Sequence, residues 1–230
     1  MRCFIATLTR WVLAGALLAT PAVASPYWIA WEDGWPEEQG WRRVWRYKEA
    51  QRWLEDGTLV IDSRESVDIQ DYYRKDMNGT LDPEQGKEIF LLQWRAKVSV
   101  VIGHSDPGVE VFSDGAWGAF FALNADTIYT SDGKKASFAA GVFHEFAFQS
   151  ADMRNYELSI DGVPRLTGVF FKSISTSRMS WGDMVAGAAS LHRWDYFRFG
   201  VLVPEPSSLA IWAALALLCV KRWLRRPARC

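Results

Sequence analysis

Residues 88–102 read Glu-Ile-Phe-Leu-Leu-Gln-Trp-Arg-Ala-Lys-Val-Ser-Val-Val-Ile. Phe90, Leu92, Trp94, Ala96, Val98 and Val100 alternate there with Leu91, Gln93, Arg95, Lys97 and Ser99. A period of two held for this long predicts a central strand in a sheet with one wetter face. Upstream, Thr58 to Asp62 reads as a strand entered from the Asp56-Gly57 turn, with Leu59 and Ile61 on one face and Val60 on the other. The polar stretch Asp71 to Gly86 separates the two, with Asn78-Gly79 and Asp82-Pro83 as turn formers. Asn78-Gly79-Thr80 also matches a glycosylation acceptor, but Asn-Gly is first of all a turn.

Downstream, the turns His104 to Gly108 and Asp114-Gly115 bracket a short strand, Val109 to Phe112. Strand-like runs then follow at Trp117–Leu123, Thr127–Thr130, Phe143–Ser150, Asn155–Asp161, Leu166–Lys172, Arg178–Trp181 and Trp194–Gly200. Asp132-Gly133, Gly141, Asp161-Gly162 and Gly182-Asp183 punctuate them. Short strands with a turn every eight to twelve residues, roughly, predict an all-β antiparallel sandwich or barrel. No fixed-period repeat is visible, which counts against propellers and solenoids. The region before residue 58 is rich in aromatics, with Tyr27, Trp28, Trp31, Trp35, Trp41, Trp45 and Trp53. Gly40 and Asp56-Gly57 bound Arg42 to Leu54, whose spacing fits a helix or strands; both readings stay open there.

The two ends have a different chemistry. Arg2, the apolar stretch Trp11 to Ala19 and the small residues Ala22-Val23-Ala24 make 1–24 a secretory signal peptide, cut after Ala24. At the other end, Val203, Pro204, Glu205 and Pro206 form a stiff lead, because each proline removes a backbone donor and biases its predecessor away from helix. An uncharged run, Leu209 to Val220, follows it, and a transmembrane helix over about 208–224 is the shortest span that crosses a bilayer. Lys221, Arg222, Arg225, Arg226 and Arg229 then form a membrane-stop basic cluster that stays cytoplasmic. The order Pro-Glu-Pro, short apolar helix and arginine-rich end resembles the PEP-CTERM sorting signal of bacterial envelope proteins. That resemblance, over 203–230, implies recognition at Val203 to Pro206 by an exosortase-type sorting protease. It implies a protein anchored in the inner membrane by its C-terminal helix, then released to the cell envelope or extracellular space.

Residues 25–202 remain as one exported domain, long enough to bury about 70% of the surface its unfolded chain exposes. Cys3, Cys219 and Cys230 all fall in the end segments, so the domain must hold together by packing without a disulfide. All 27 acids lie between Glu32 and Glu205, whereas seven of the 26 Lys and Arg lie outside that stretch, leaving 19 and a net charge of −8. Such a body disfavours nucleic acid and anionic lipid as partners, and is compatible with neutral polysaccharide, divalent cations or plain solubility.

Phe143-His144-Glu145-Phe146, Asn155-Tyr156-Glu157-Leu158-Ser159-Ile160-Asp161-Gly162 and Trp194-Asp195-Tyr196-Phe197-Arg198-Phe199 resemble the last strands of laminin-G-like, concanavalin A-like domains. The resemblance implies a two-sheet jelly roll over 25–202. It leaves function open, because such domains bind sugars or proteins, host some glycosidases, or are structural. Sandwich glycosidases carry Glu-x-Asp-x-x-Glu or Glu-x-Asp-x-Glu on one strand, and neither occurs here; Glu65 to Asp68 and the pair Glu110 and Asp114 only approach it. A catalytic role is therefore not expected. His104, His144 and His192 lie too far apart, and too far from other ligands, for zinc. No cofactor is expected either, although loop aspartates Asp106, Asp114, Asp126, Asp132 and Asp183 are of the type calcium uses. Carbohydrate recognition needs exposed rings beside polar groups, and Trp117, Tyr129 and Trp181 are the candidates; core packing competes for each. The expectation is thus a non-catalytic binding or structural module, with lectin-like sugar binding and an unusual glycoside hydrolase as alternatives.

Overall fold

The structure, a computed structural model, describes residues 29–77, 88–103, 107–113, 117–173 and 177–202. Its strands begin with β1 (Ile29–Trp31), a 3-10 turn at Pro36–Gln39, β2 (Arg42–Arg46), β3 (Gln51–Glu55), β4 (Thr58–Asp62) and β5 (Gln70–Asp76). Next come β6 (Ile89–Gly103), β7 (Gly108–Phe112), β8 (Trp117–Leu123), β9 (Thr127–Thr130) and β10 (Lys135–Ser137). The last are β11 (His144–Ser150), β12 (Asn155–Ile160), β13 (Val163–Val169), β14 (Phe171–Lys172), β15 (Arg178–Asp183) and β16 (Ala188–Leu202). They form two antiparallel sheets. The first runs β13-β12-β11-β6-β16-β4-β3 with β1 added to β16, and the second runs β10-β9-β8-β7-β15-β5-β2 with β14 added to β8.

The predicted central strand is β6, flanked by β11 and β16. Phe90, Leu92, Trp94, Ala96 and Val98 point into the core, as the alternation requires. Val100 does not follow them: it is 36% exposed, and Val101 packs on the core instead. The cause is a register shift, because His192 pairs with Val98 but Leu191 with Val100, so one extra residue on β6 inverts the side-chain parity beyond it. A second shift lies between Trp194 and Tyr196 on β16.

The stretch left open between helix and strand, Arg42 to Leu54, is two edge strands in different sheets. β2 pairs with β5 and β3 with β4, and Tyr47 turns the chain between the sheets at φ 66°. The β3–β4 turn is Asp56-Gly57, with φ of 50° and 77°, and the β12–β13 turn is Asp161-Gly162, with 52° and 74°. Positive φ at both central residues is the hairpin geometry whose twist matches the strands. Leu59 and Ile61 face the core while Val60 is buried on the opposite side, opposite Trp53 and Arg193.

The core between the sheets is largely aromatic. Trp181 stacks on Trp31 at 4.8 Å and on Phe197 at 5.5 Å, Trp41 meets it edge-on at 5.8 Å, and Trp94 stacks on Phe146 at 5.3 Å. Rings of this size bury large areas and add a directional preference, which a cysteine-free domain uses in place of staples. The expected signal segment 1–24, the expected sorting residues Val203, Pro204, Glu205 and Pro206, the expected span about 208–224 and the basic cluster Lys221 to Arg229 lie outside the described residues, as do Asn78, His104, Asp106 and Asp114.

Candidate functional site

The strands of the second sheet turn one set of side chains to the core and the other outward. Tyr73, Met179, Trp181, Val109, Val111, Ala119, Phe121 and Ile128 belong to the core. By parity Arg42, Tyr72, Arg74, Asp76, Arg178, Ser180, Glu110, Phe120 and Tyr129 belong to the outer face. Registry arranges them in rows across the strands. One row runs Val44, Tyr72, Gly182, Gly108, Ala122 and Tyr129; the next runs Arg42, Arg74, Ser180, Glu110 and Phe120.

Two glycines make this surface low. The Phe120 ring lies over Gly108, where an added Cβ would sit 2.8 Å from ring carbon Cε2, and a Cβ on Gly182 (φ 124°) would meet the Tyr72 backbone at 2.9 Å. The result is an outer face on which Gly108, Gly182, Ala122 and Ser180 are buried beneath the groups around them, while the rings of Tyr72, Phe120 and Tyr129 stand out with arginines and one glutamate among them. Glu110 is a quarter exposed, at 26%, and lies 3.6 Å from Arg178. Burial holds its carboxyl above the usual carboxylate range, against the opposing pull of Arg178. Arg178 also lies over the Phe112 ring at 4.4 Å.

The sequence candidates are separated by this geometry. Tyr129 is on the outer face and 38% exposed. Trp117 takes the inward parity of Ala119 and Phe121; it packs at the core's rim, with Arg154 and Lys172 over its ring at 5.6 and 6.0 Å. Trp181 is 0% exposed at the centre of the aromatic core, so it offers a sugar no surface and is corrected to a packing residue. Tyr72 and Phe120 went unnoticed as outward-facing rings, and Glu110 was weighed only as half of a carboxylate pair, because nothing local marks which parity of a short strand faces out.

His144 is buried on β11, with Nδ1 2.6 Å from Asp161 Oδ2 and Nε2 2.8 Å from the Ala139 carbonyl, so it ties a hairpin to its sheet as expected of a structural histidine. Among the loop aspartates, Asp132 accepts from the Thr130 hydroxyl, from the Tyr156 hydroxyl at 2.7 Å and from the Val169 N–H at 3.1 Å. Asp126 accepts from the Thr127 hydroxyl at 2.9 Å, and Asp183 is buried on the inner side of β15. Among the described residues no group of three His, Cys, Asp or Glu side chains is placed to hold a metal. The first sheet's outer face bears a shallow groove of about 250 Å³ lined by Leu91, Gln93, Ala147, Gln149, Ser159 and Pro164. Its polar groups mostly bond one another, as in Arg198 Nε to Gln93 at 2.8 Å and Gln149 to Glu157 at 3.2 Å.

No protein-family model matches the chain, and no curated protein matches it in sequence. Solved structures do share its architecture. A carbohydrate esterase of the Shiga toxin-encoding bacteriophage phi24B superposes with a TM-score of 0.55 at 15% identity, over 73% of this chain and 93% of that one. Peanut lectin gives 0.48 at 10% identity (78% and 99%), and a Bacillus licheniformis β-glucanase 0.44 at 8% (77% and 98%). The likeness is one of fold alone, an all-β sandwich of two antiparallel sheets.

Proposed function

We propose that this is a non-catalytic glycan-binding module of the bacterial envelope or extracellular matrix, exported by its signal peptide and sorted by a cleavable PEP-CTERM tail. Its ligand surface is the outer face of the second sheet. The observation that carries this reading is the set of outward rings Tyr72, Phe120 and Tyr129 on the same face as Arg74, Arg178 and the partly exposed Glu110. Sugars are held by this pairing of aromatic faces with a few fixed polar groups.

Binding is favoured over hydrolysis by what surrounds Glu110. A glycosidase needs a second carboxyl within about 5–9.5 Å across the bond it cuts. The four nearest outward positions around Glu110 are Gly108, Phe112, Ser180 and Phe120, and its charge partner is Arg178. Glycan-array binding by the full chain, lost in Tyr129→Ala and kept in Trp117→Ala, supports the proposal. Turnover of any array polysaccharide would remove it.

A second reading, a structural protein that assembles with its own copies, is favoured by the edge strands β2 and β3, where Trp45 and Trp53 are exposed. It predicts concentration-dependent association in sedimentation without glycan, abolished by Trp45→Lys. For the tail, the intact mass of protein from its native envelope decides: a chain ending near Pro206 supports sorting, and one that includes Cys230 means a retained anchor.

A further inference from the structure

The outer face of the second sheet carries more positive charge than its own acids neutralise. Arg42 and Arg46 on β2, Arg74 on β5, Arg178 on β15 and Lys135 on β10 have outward parity, and so do Asp76 and Glu110. Among the described strand residues, five cations against two acids leave +3 on this face, whereas the stretch from Glu32 to Glu205 totals −8. The acidic average therefore conceals a basic surface.

Arg42 lies directly opposite Arg74 in the β2–β5 pair. Like charges in that position repel, so the sheet carries a cost there with no packing gain to explain it. Both guanidiniums lean on the same carboxylate, Asp76, at 2.6 Å from Arg74 and 3.6 Å from Arg42. One carboxylate cannot neutralise two guanidiniums. On the next strand Arg178 lies opposite Asp76 and 3.6 Å from Glu110, whose carboxyl burial pushes toward the neutral form.

We propose that this face binds an acidic polysaccharide, with carboxylates held by Arg42, Arg74 and Arg178 and sugar rings laid against Tyr72, Phe120 and Tyr129. The inference rests on the glycan-binding reading and specifies the class of glycan. Arginine's planar fork matches a carboxylate in two parallel hydrogen bonds, which lysine's point charge does not. From Arg42 on β2 to Tyr129 on β9 the proposed contacts span five inter-strand steps, or roughly 24 Å at about 4.8 Å each, so the ligand is a polymer rather than a single sugar. Charge screening over about 8 Å at physiological salt lets one strand lying on this face feel its +3 more than the acids on the far sheet, about 10 Å further. A bulky polyanion such as nucleic acid meets more of the body's net negative charge.

The test is calorimetric titration of the full chain in detergent with polygalacturonate, neutral dextran and a thymidine oligonucleotide, at low and high salt. Polygalacturonate is expected to bind, to weaken with salt, and to lose about tenfold in affinity, ~1.4 kcal/mol, in Arg74→Gln and in Arg42→Gln. Arg42 is 62% exposed, so its replacement does not endanger folding. Lys97→Gln on the other sheet, and replacement of Lys221, Arg222, Arg225, Arg226 and Arg229 by Gln, are expected to leave affinity unchanged. Loss of binding in the tail variant instead would overturn the proposal, as would oligonucleotide binding at least as tight. Equal binding of dextran overturns the acidic class but keeps the glycan-binding reading; binding of no glycan overturns both.

Discussion

Arg43 and Asp71 form a two-pronged ion pair where the chain crosses from one sheet to the other. Arg43 donates through Nε to Asp71 Oδ1 at 2.8 Å and through Nη2 to Oδ2, and the Ala50 N–H donates to the same Oδ2 at 2.9 Å. Asp71 is buried, and Arg43's third nitrogen is held by Glu49 at 2.8 Å. The pair thus fixes β2 to β5 and also pins the connection that carries the chain to β3. Removing one partner strands the other charge. Asp71→Ala is expected to cost about 3–5 kcal/mol in urea unfolding, while Arg43→Met with Asp71→Leu together cost less than Asp71→Ala alone. A single-variant loss under about 1 kcal/mol would show that water already reaches the pair.

The two aromatic candidates that remain closest to a ligand question separate by stability. Trp181 has ring partners in Trp31, Trp41, Tyr73, Trp194 and Phe197, so Trp181→Ala opens the centre of the core and is expected to cost about 3–5 kcal/mol. Tyr129→Ala removes an outward ring and is expected to leave stability within about 0.5 kcal/mol. Differential scanning calorimetry on both checks this directly; similar melting temperatures for the two would contradict the assignment of faces.

Much of the sandwich was legible in sequence because it is written locally. The alternation from Phe90 to Val98 and the Asp-Gly turns at 56–57 and 161–162 each mark their own structure. What depends on a partner strand was not legible. Val100 changes face because of how β16 is registered against β6, and Trp181, beside Gly182-Asp183, could be read as a ligand ring or as core until its pairing with both β5 and β7 turns it inward. The outer face is the extreme case. Arg42, Arg74, Glu110 and Arg178 come from four strands scattered along the chain, and only the pairing brings them together.

Gly168 shows how tightly the β12–β13 hairpin is fastened to the opposite sheet. A Cβ there would lie 2.2 Å from the Tyr156 hydroxyl and 2.6 Å from Asp132 Oδ2, so the glycine makes room for the Tyr156 to Asp132 hydrogen bond. Gly168→Ala must displace that hydroxyl and is expected to lower stability by at least as much as Tyr156→Phe, which loses a bond to a charged acceptor worth about 1.5–3 kcal/mol. In the double variant the two losses are expected to be less than additive, since both act on one hydrogen bond. Strict additivity in a double-mutant cycle would mean that Gly168 serves another purpose.

His192 makes the stability depend on pH above the range in which carboxylates titrate. It is fully buried on β16, its Nδ1 accepts from Trp194 Nε1–H at 2.6 Å, and burial presses its pKa down to about 3, against the weaker pull of Asp62. Folded, the ring stays neutral down to that pH; unfolded, it takes a proton below about 6.5. The unfolded state therefore binds more protons between those limits, so the stabilisation is complete above about pH 6.5 and drains away as pH falls toward 3. The slope can reach about 1.4 kcal/mol per pH unit. Asp62, Asp132, Asp152 and Asp161 also have lowered values in the fold, but their stabilisation is lost only as pH falls below the ordinary aspartate value of about 4. Unfolding free energies measured from pH 7 to 4.5 thus separate the buried imidazole from these acids, and comparison with a His192 variant cancels the opposite contribution of Glu110, whose carboxyl pKa burial raises. His192→Gln, which removes the titrating ring, is expected to flatten the curve over that interval even though it lowers stability at pH 7. An unchanged slope in the variant would show that His192 is protonated in the folded protein too.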